Sequence, residues 1–402
     1  MKRKLHFLRK FRGAFSKATS PVVPSDKSLT KPFPVCYTKH MKNQAKINRN
    51  PLPVSLLSAM TEPLAAWYLE NQKPLPWRAT GDPYHIWLSE VMLQQTRTAA
   101  VIPYYHRFID VLPTVKALAE TDDEVLMKLW EGLGYYSRAR NLKAAAIRIV
   151  EEHGGKLPED FHALLALPGI GDYTAGAISS IAFGLPEPAV DGNVLRVIMR
   201  LCASELDIAA ADTKKAVTDA LRRVYPKGNA ASVLTQAIME LGENICIPNG
   251  RPRCMECPLA PLCRGLADNR VDDLPRKSPK KARRIEQKTV LLLEHNGAFV
   301  IRRRPEKGLL ASLWEFPCLD GHLTPNEALA WAREQGLSPV TCTPCDHAVH
   351  IFTHVEWHMT GYRIPLATAP KDHTLATSDQ LVREYAVPKA FEAFKKIVSL
   401  GN

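Results

Sequence analysis

The chain changes its hydrophobic rhythm once. Between residues 54 and 263 apolar positions recur three and four apart, as in VSLLSAMTEPLAAWYLE, DEVLMKLWEGL, ARNLKAAAIRIVEEHG and DFHALLAL, with Gly or Pro between the runs. That spacing gathers the apolar side chains on one face of a helix, so this region is expected to be all-α. From Arg264 to about Gln287 the rhythm lapses: LPRKSPKKARRIEQ is basic, contains Pro and has few large apolar groups, as an interdomain linker does. Beyond it the period becomes two. In TVLLLEHNGAFVIRRR the pair Asn296-Gly297 separates two strand-like runs, and both turn positions favour positive φ, which predicts a hairpin. Residues 348 to 364, AVHIFTHVEWHMTGYRI, alternate likewise, while PNEALAWAREQG and AVPKAFEAFKKIVSL read as helices. An all-α domain over 54–263 and an α+β domain over 288–400 are therefore expected.

Length and charge refine this picture. A chain of 402 residues is too long for one ordinary core. No apolar run approaches the ~18 residues a membrane span needs, so a soluble protein without a membrane partner is expected. The formal charge of +12 is concentrated at one end, where residues 1–50 hold 13 Lys or Arg and a single acid, Asp26; the remainder balances, with 40 of each sign. Any polyanion-binding surface on the body must then be local. The arm suits an organelle transit peptide, a flexible DNA tether, or a stretch upstream of a true start at Met41 or Met60. Of nine cysteines, Cys246, Cys254, Cys257 and Cys263 fall within 18 positions, a metal-site pattern more than a disulfide framework.

Three segments carry candidate chemistry. In WLSEVMLQQTR, Glu90 is the lone acid among Trp87, Leu88, Val91, Met92 and Leu93. At helical spacing it shares one polar stripe with Gln94 and Arg97, which either faces water or lines a pocket. In LPGIGDYTAGA, Gly169 and Gly171 form a tight turn between helical stretches, exposing backbone N–H groups that suit a phosphate oxygen. An ordinary helical connector is the plainer reading. Twenty residues past Gly171, VDGNVLR supplies Asp191 and Asn193. Four thiolates spaced Cys246-x7-Cys254-x2-Cys257-x5-Cys263 fit zinc or a four-iron four-sulfur cluster equally by residue type. A second set, Cys342-x2-Cys345 with His347 and His350, has poor ligand spacing and is discounted.

Taken together, LPWR from Leu75, PYHIWLSEVMLQQT, GLGYYSRARNL from Gly132, LPGIGDYTAGA, VDGNV and the four cysteines resemble the MutY family of adenine DNA glycosylases, within the endonuclease III superfamily. The resemblance implies an all-α helix-hairpin-helix glycosylase domain with an iron–sulfur cluster loop, followed by an α+β Nudix-like domain. It implies that Glu90 is the acid that protonates N7 of adenine and later activates water, and that Asp191 stabilises or captures the sugar cation. Tyr173 and Asn193 match polar partners around the sugar, Arg78 and Glu240 match contacts to the extruded adenine, and Gln95 and Tyr135 match residues that fill the helix when the base flips. Gly169 and Gly171 would hold the DNA backbone. Cys246, Cys254, Cys257 and Cys263 would bind one 4Fe-4S cluster, although the family's first gap is six residues and here it is seven. Lyase relatives carry Lys where this chain has Tyr173, so a monofunctional glycosylase is implied.

The C-terminal domain resembles the Nudix-like module that reads 8-oxoguanine, without the glutamate run that would hold a divalent metal: NEALAWAREQGL stands in its place. Phe352, Thr353 and His354 match the family's Phe-Ser-His, with Thr for Ser. The implied partner is duplex DNA with adenine opposite 8-oxoguanine or guanine, bound by a monomer in a bacterial nucleoid or a eukaryotic nucleus or mitochondrion. The basic linker, with Arg276, Lys277, Lys280, Lys281, Arg283 and Arg284, is a solvated run that could graze phosphate or a sliding clamp. Two other readings compete: an endonuclease III-like pyrimidine or thymine mismatch glycosylase, opposed by Tyr173 and the added domain, and a non-catalytic iron–sulfur DNA-binding protein, opposed by the retention of both Glu90 and Asp191.

Overall fold

The structure, a computed structural model, describes residues 52–279 and 282–400. The basic arm, with Met41, and linker residues Lys280 and Lys281 lie outside the described residues. Contacts divide the described residues into two compact units, one running up to Val91 and again over Lys156–Pro279, the other over Met92–Gly155 and from Ala282 onward. Among the described residues no helix is long and apolar enough to cross a membrane.

The first unit is helical. Its helix Val54–Asn71 sets Leu57, Met60, Leu64 and Tyr68 against Val194, Ile198 and Leu201 of helix Gly192–Cys202 and Leu234, Ile238 and Leu241 of helix Asn229–Asn244. Each Leu, Ile or Met buried in this way contributes about 1.5–3 kcal/mol. The ends of Gly192–Cys202 are fixed locally: the Asp191 carboxylate accepts the Val194 N–H at 2.8 Å, and Ala203 closes the helix in the left-handed conformation. Upstream, Asp160 caps the short helix Phe161–Leu165, the chain turns through Gly169 (φ 73°), and Gly171 is the N-cap of helix Asp172–Ile181. Gly176 inside that helix is a close-approach glycine, because a Cβ there would lie 2.5 Å from the Pro188 carbonyl oxygen. The helix can thus rest on the segment that leads into Asp191.

The polar stripe expected of Glu90, Gln94 and Arg97 does not form. Helix Pro83–Leu93 stops before Gln94, and Arg97 is already the N-cap of the next helix, Thr98–Val111. The backbone breaks at Gln95, whose φ of 59° lies outside the helical region. Arg138, 8% exposed, holds this end of the helix by donating to the carbonyls of Met92 (3.0 Å) and Gln94 (2.8 Å). Glu90 itself is 6% exposed, so it does not sit on a solvated face.

The second unit joins the helices Thr98–Val111, Asp123–Trp130 and Ser137–His153 to a mixed sheet. Its strands are β1 (Arg284–His295), β2 (Ala298–Arg303), β3 (Trp314–Glu315), β4 (Cys318–Asp320), β5 (Thr343–Ile351), β6 (Val355–Pro365) and β7 (Thr374–Thr377). The order is β3-β2-β1-β6-β5, with β4 on β1 and β7 on β2. Among the described strands only β1 and β6 pair in parallel. Asn296 (φ 49°) and Gly297 (φ 75°) make the expected tight turn between β1 and β2. Central β1 is covered on both faces. Val290 and Leu292 pack with Phe299, Trp357 and Phe394, whereas Leu291 and Leu293 pack with Val300, Ala328 and Ile364. That double burial explains a run with no polar alternation. The alternating stretch 348–364 proves to be two antiparallel strands, β5 and β6, broken at Phe352–His354. The strand on the linker side begins at Arg284, and a short helix, Arg264–Ala267, follows the last of the clustered cysteines.

Gly176→Ala is expected to destabilise the chain by roughly 1–3 kcal/mol through overpacking against Pro188. Urea titration should show a lower midpoint at unchanged slope. An unchanged midpoint would mean that the Pro188 segment yields freely.

Candidate active site

Glu90 occupies the last turn of helix Pro83–Leu93 and accepts the Tyr173 hydroxyl at 2.7 Å. Burial pushes its carboxyl up to about 7; the Tyr173 hydrogen bond and Arg78 oppose the rise, and the nearby Asp191 adds to it. Tyr173, in the first turn of Asp172–Ile181, is itself driven well above the usual phenol range by burial and by the two carboxylates. Asp191 is raised by burial as well, but its anion is held by the backbone N–H groups of Val194 and Asn193, by Arg196 and by the Asn193 side chain, whose Nδ2 donates at 2.9 Å. Two carboxyls thus sit close together in opposed settings. One readily keeps a proton near neutrality, and the other is surrounded by donors that favour its charge.

Beside them Arg78 pairs with Glu240 at 2.9 Å and also donates to the Lys73 carbonyl. Glu240 is 3% exposed and accepts the Lys73 N–H at 3.1 Å. Tyr68 lies under the Arg78 guanidinium, 5.5 Å from ring centre to Cζ. Its buried hydroxyl has no partner among the described residues, and burial pushes it up to about 12. Gly169 and Gly171 are exposed at the hairpin turn.

The four clustered cysteines line one cavity in the same unit, together with Arg200, Ile245, Leu266 and Val271. All four are free thiols. Burial raises Cys254 and Cys263 and pushes Cys257 up to about 12, and neighbouring sulfurs add to each rise. Thiols this close ionise together only around a cationic centre, so the donor set fits a metal group. Among the described residues no three ligating side chains are gathered as a single ion requires. A polar chain runs from the carboxylates to this cavity. Arg196 donates to Asn193 Oδ1 at 2.8 Å, to the Gly242 carbonyl at 2.8 Å and to the Cys246 carbonyl at 2.7 Å. Cys345 packs against the apolar cluster of Trp357 and Phe394, and Cys342 against that of Leu291 and Ile364.

The second unit contains its own cavity of about 620 Å³, lined by Gln95, Tyr135, Phe352, Thr353 and His354 among others. The Tyr135 and Thr353 hydroxyls are hydrogen-bonded at 2.9 Å. Gln95 (φ 59°) and Tyr135 (φ 48°) both adopt the left-handed conformation, unusual for residues with side chains. Arg138 holds both turns by donating to the carbonyls of Met92, Gln94, Leu133 and Gly134. Phe352 stands edge-on to Trp357 and His350, and burial together with Lys389 lowers the His350 pKa.

Sequence reasoning missed Tyr68, Arg138, Arg196, Arg200 and Lys389, and named His350 only beside the discounted cysteines. For Arg196 and Arg200 a signal existed: two arginines four apart in the otherwise apolar VLRVIMRLC. Tyr68 gave none, since its spacing is that of a core residue.

Residues 88–227 match the HhH-GPD superfamily of base excision DNA repair proteins, and residues 289–396 match a NUDIX domain. The first match spans Glu90, the hairpin and Asp191. Adenine DNA glycosylase of Rattus norvegicus is 32% identical, the similarity covering 85% of this chain and 77% of the relative. That of Homo sapiens is 32% identical over 86% and 74%, and that of Buchnera aphidicola subsp. Acyrthosiphon pisum 32% over 75% and 85%. Two domains in this order, and identity extending over most of both chains, establish that the chain belongs to the adenine DNA glycosylase family.

Proposed function

We propose that this base excision repair adenine glycosylase acts on adenine mispaired with 8-oxoguanine and, more weakly, with guanine, as a monofunctional enzyme. The observation that carries the mechanism is the pairing of a buried, readily protonated Glu90 with the donor-held Asp191. Glu90 gives its proton to N7 of the extruded adenine. The bond from C1′ to N9 then breaks with its electron pair leaving on the base, and Asp191 faces the positive charge left on the sugar. Water adds at C1′, and Glu90, now a carboxylate, takes up the proton released. Tyr173 orients Glu90 through its hydroxyl and offers no amine for a Schiff base. Asn193 fixes Asp191, and the Arg78–Glu240 pair contacts the adenine edge. Gly169 and Gly171 hold the DNA backbone.

Gln95 and Tyr135 fill the gap left by the flipped base, and Phe352, Thr353 and His354 read the lesion strand. Cys246, Cys254, Cys257 and Cys263 hold one 4Fe-4S cluster, which when bound ties the loop together and supplies a one-electron centre. The proposed organisation is a glycosylase domain over 54–263, a linker over 264–287 that could dock on a sliding clamp, and a lesion reader over 288–400. The chain works as a monomer on duplex DNA in a nucleoid, nucleus or mitochondrion.

Glu90→Gln should lower single-turnover adenine release opposite 8-oxoguanine by roughly 10²–10⁴-fold while duplex binding persists. Release at the wild-type rate would remove Glu90 from the mechanism. The same variant should be the more stable protein in alkali. Because burial raises the folded-state pKa from 4.5 to about 7, wild type loses stability as pH rises through that window, by up to about 3 kcal/mol, and the uncharged amide escapes the loss. Urea titrations of both proteins at pH 5 and pH 8 check this.

For wild type, the rate should fall as pH climbs above about 7, where Glu90 loses its proton. A flat profile to pH 9 would exclude it as the acid. Thr353→Ala should narrow the preference for adenine opposite 8-oxoguanine over adenine opposite guanine several-fold, by slowing the former alone. Equal slowing of both duplexes would place Thr353 outside lesion reading.

A further inference from the structure

Arg200 is 5% exposed, yet among the described residues no carboxylate pairs with it. Its Nε donates to the Leu274 carbonyl at 2.8 Å, and Nη1 donates both to the Ile247 carbonyl at 2.9 Å and to the Cys246 sulfur at 3.3 Å. A buried guanidinium without a counter-charge is costly, and carbonyl oxygens offset only part of that cost. Arg196, one turn earlier on the same helix, is a second buried cation that worsens the imbalance. The anions that would restore it are the thiolates of the cavity Arg200 lines. The backbone of Arg200 engages the same loop from its other end. Cys263 Sγ lies 3.5 Å from the Arg200 carbonyl, and Gly265 approaches so closely that a Cβ would lie 2.5 Å from that oxygen. One residue therefore contacts the first and the last cysteine of the motif.

We propose that Arg200 is a positioning residue that sets the reduction potential of the group bound by Cys246, Cys254, Cys257 and Cys263, through an N–H to sulfur hydrogen bond and an unshared buried charge. The proposal rests on the iron–sulfur reading given above. A cluster that gains an electron becomes more negative, and a fixed cation with a donor aimed at one of its sulfurs stabilises the reduced member of the couple. Arg200 thus holds the potential higher than the four cysteines alone would. Lys keeps the charge but not the planar fork that reaches two carbonyls and a sulfur at once, and Met keeps neither.

The test is voltammetry of the full chain, wild type beside Arg200→Lys and Arg200→Met, with iron and inorganic sulfide measured on each sample. The expected potentials descend from wild type to Lys to Met, with the metal content of all three alike. Loaded variants at the wild-type potential would overturn the proposal. If wild type loads and neither variant does, the role of Arg200 is assembly of the site rather than tuning, which also overturns it. Iron-free wild type is a different failure, since it removes the cluster reading before Arg200 is in question.

Discussion

Tyr173 donates its hydroxyl to Glu90 at 2.7 Å in a place that the helices of the first unit keep from solvent, and a good deal of local design follows from that contact. An acid taken out of water remains ionised only at a cost, so it holds its proton into the neutral range. Keeping it there requires that helix Asp172–Ile181 arrive at the right depth, and Gly176 permits this by letting the helix rest on the Pro188 carbonyl. The segment so approached ends three residues later in Asp191, whose carboxylate caps the next helix. The depth of Glu90 and the placement of Asp191 are set by one helix packing.

The second unit meets a different constraint, that of holding turns open. Arg138 spends both of its terminal nitrogens on four carbonyls from two turns, those that carry Gln95 and Tyr135. A guanidinium suits this task because its donors are fixed in a plane and it stays charged even where burial brings it down to about 10. Across the cavity, the break between β5 and β6 presents Phe352–His354 as a corner rather than as a continued strand.

Much of this was legible in the sequence because the relevant signals are local. Spacing located the helices, Asn296-Gly297 located the first hairpin, and VDGNVLR supplied Asp191 and Asn193 as candidates twenty residues past the Gly171 turn. Glu90 stood out as an acid among Trp87, Leu88, Val91 and Met92. What escaped depends on partners distant in the chain. The end of the helix carrying Glu90 is held by Arg138, some forty residues on, and no periodicity within the segment reports that. The 348–364 stretch keeps its alternation through the corner, so the pattern of polar and apolar residues conceals the turn. Arg196 and Arg200 were visible as charges in an apolar helix, but their purpose lies in the loop after residue 244.

Gln95 and Tyr135 hold left-handed backbone conformations that Gly would adopt without strain. Strain of this kind costs on the order of 1 kcal/mol at a residue with a side chain. A glycine in either place would relieve it, but would also loosen the unfolded chain, and at Tyr135 it would remove the hydroxyl that meets Thr353. The chain keeps the strained turns, and with them an amide and a phenol on the cavity wall.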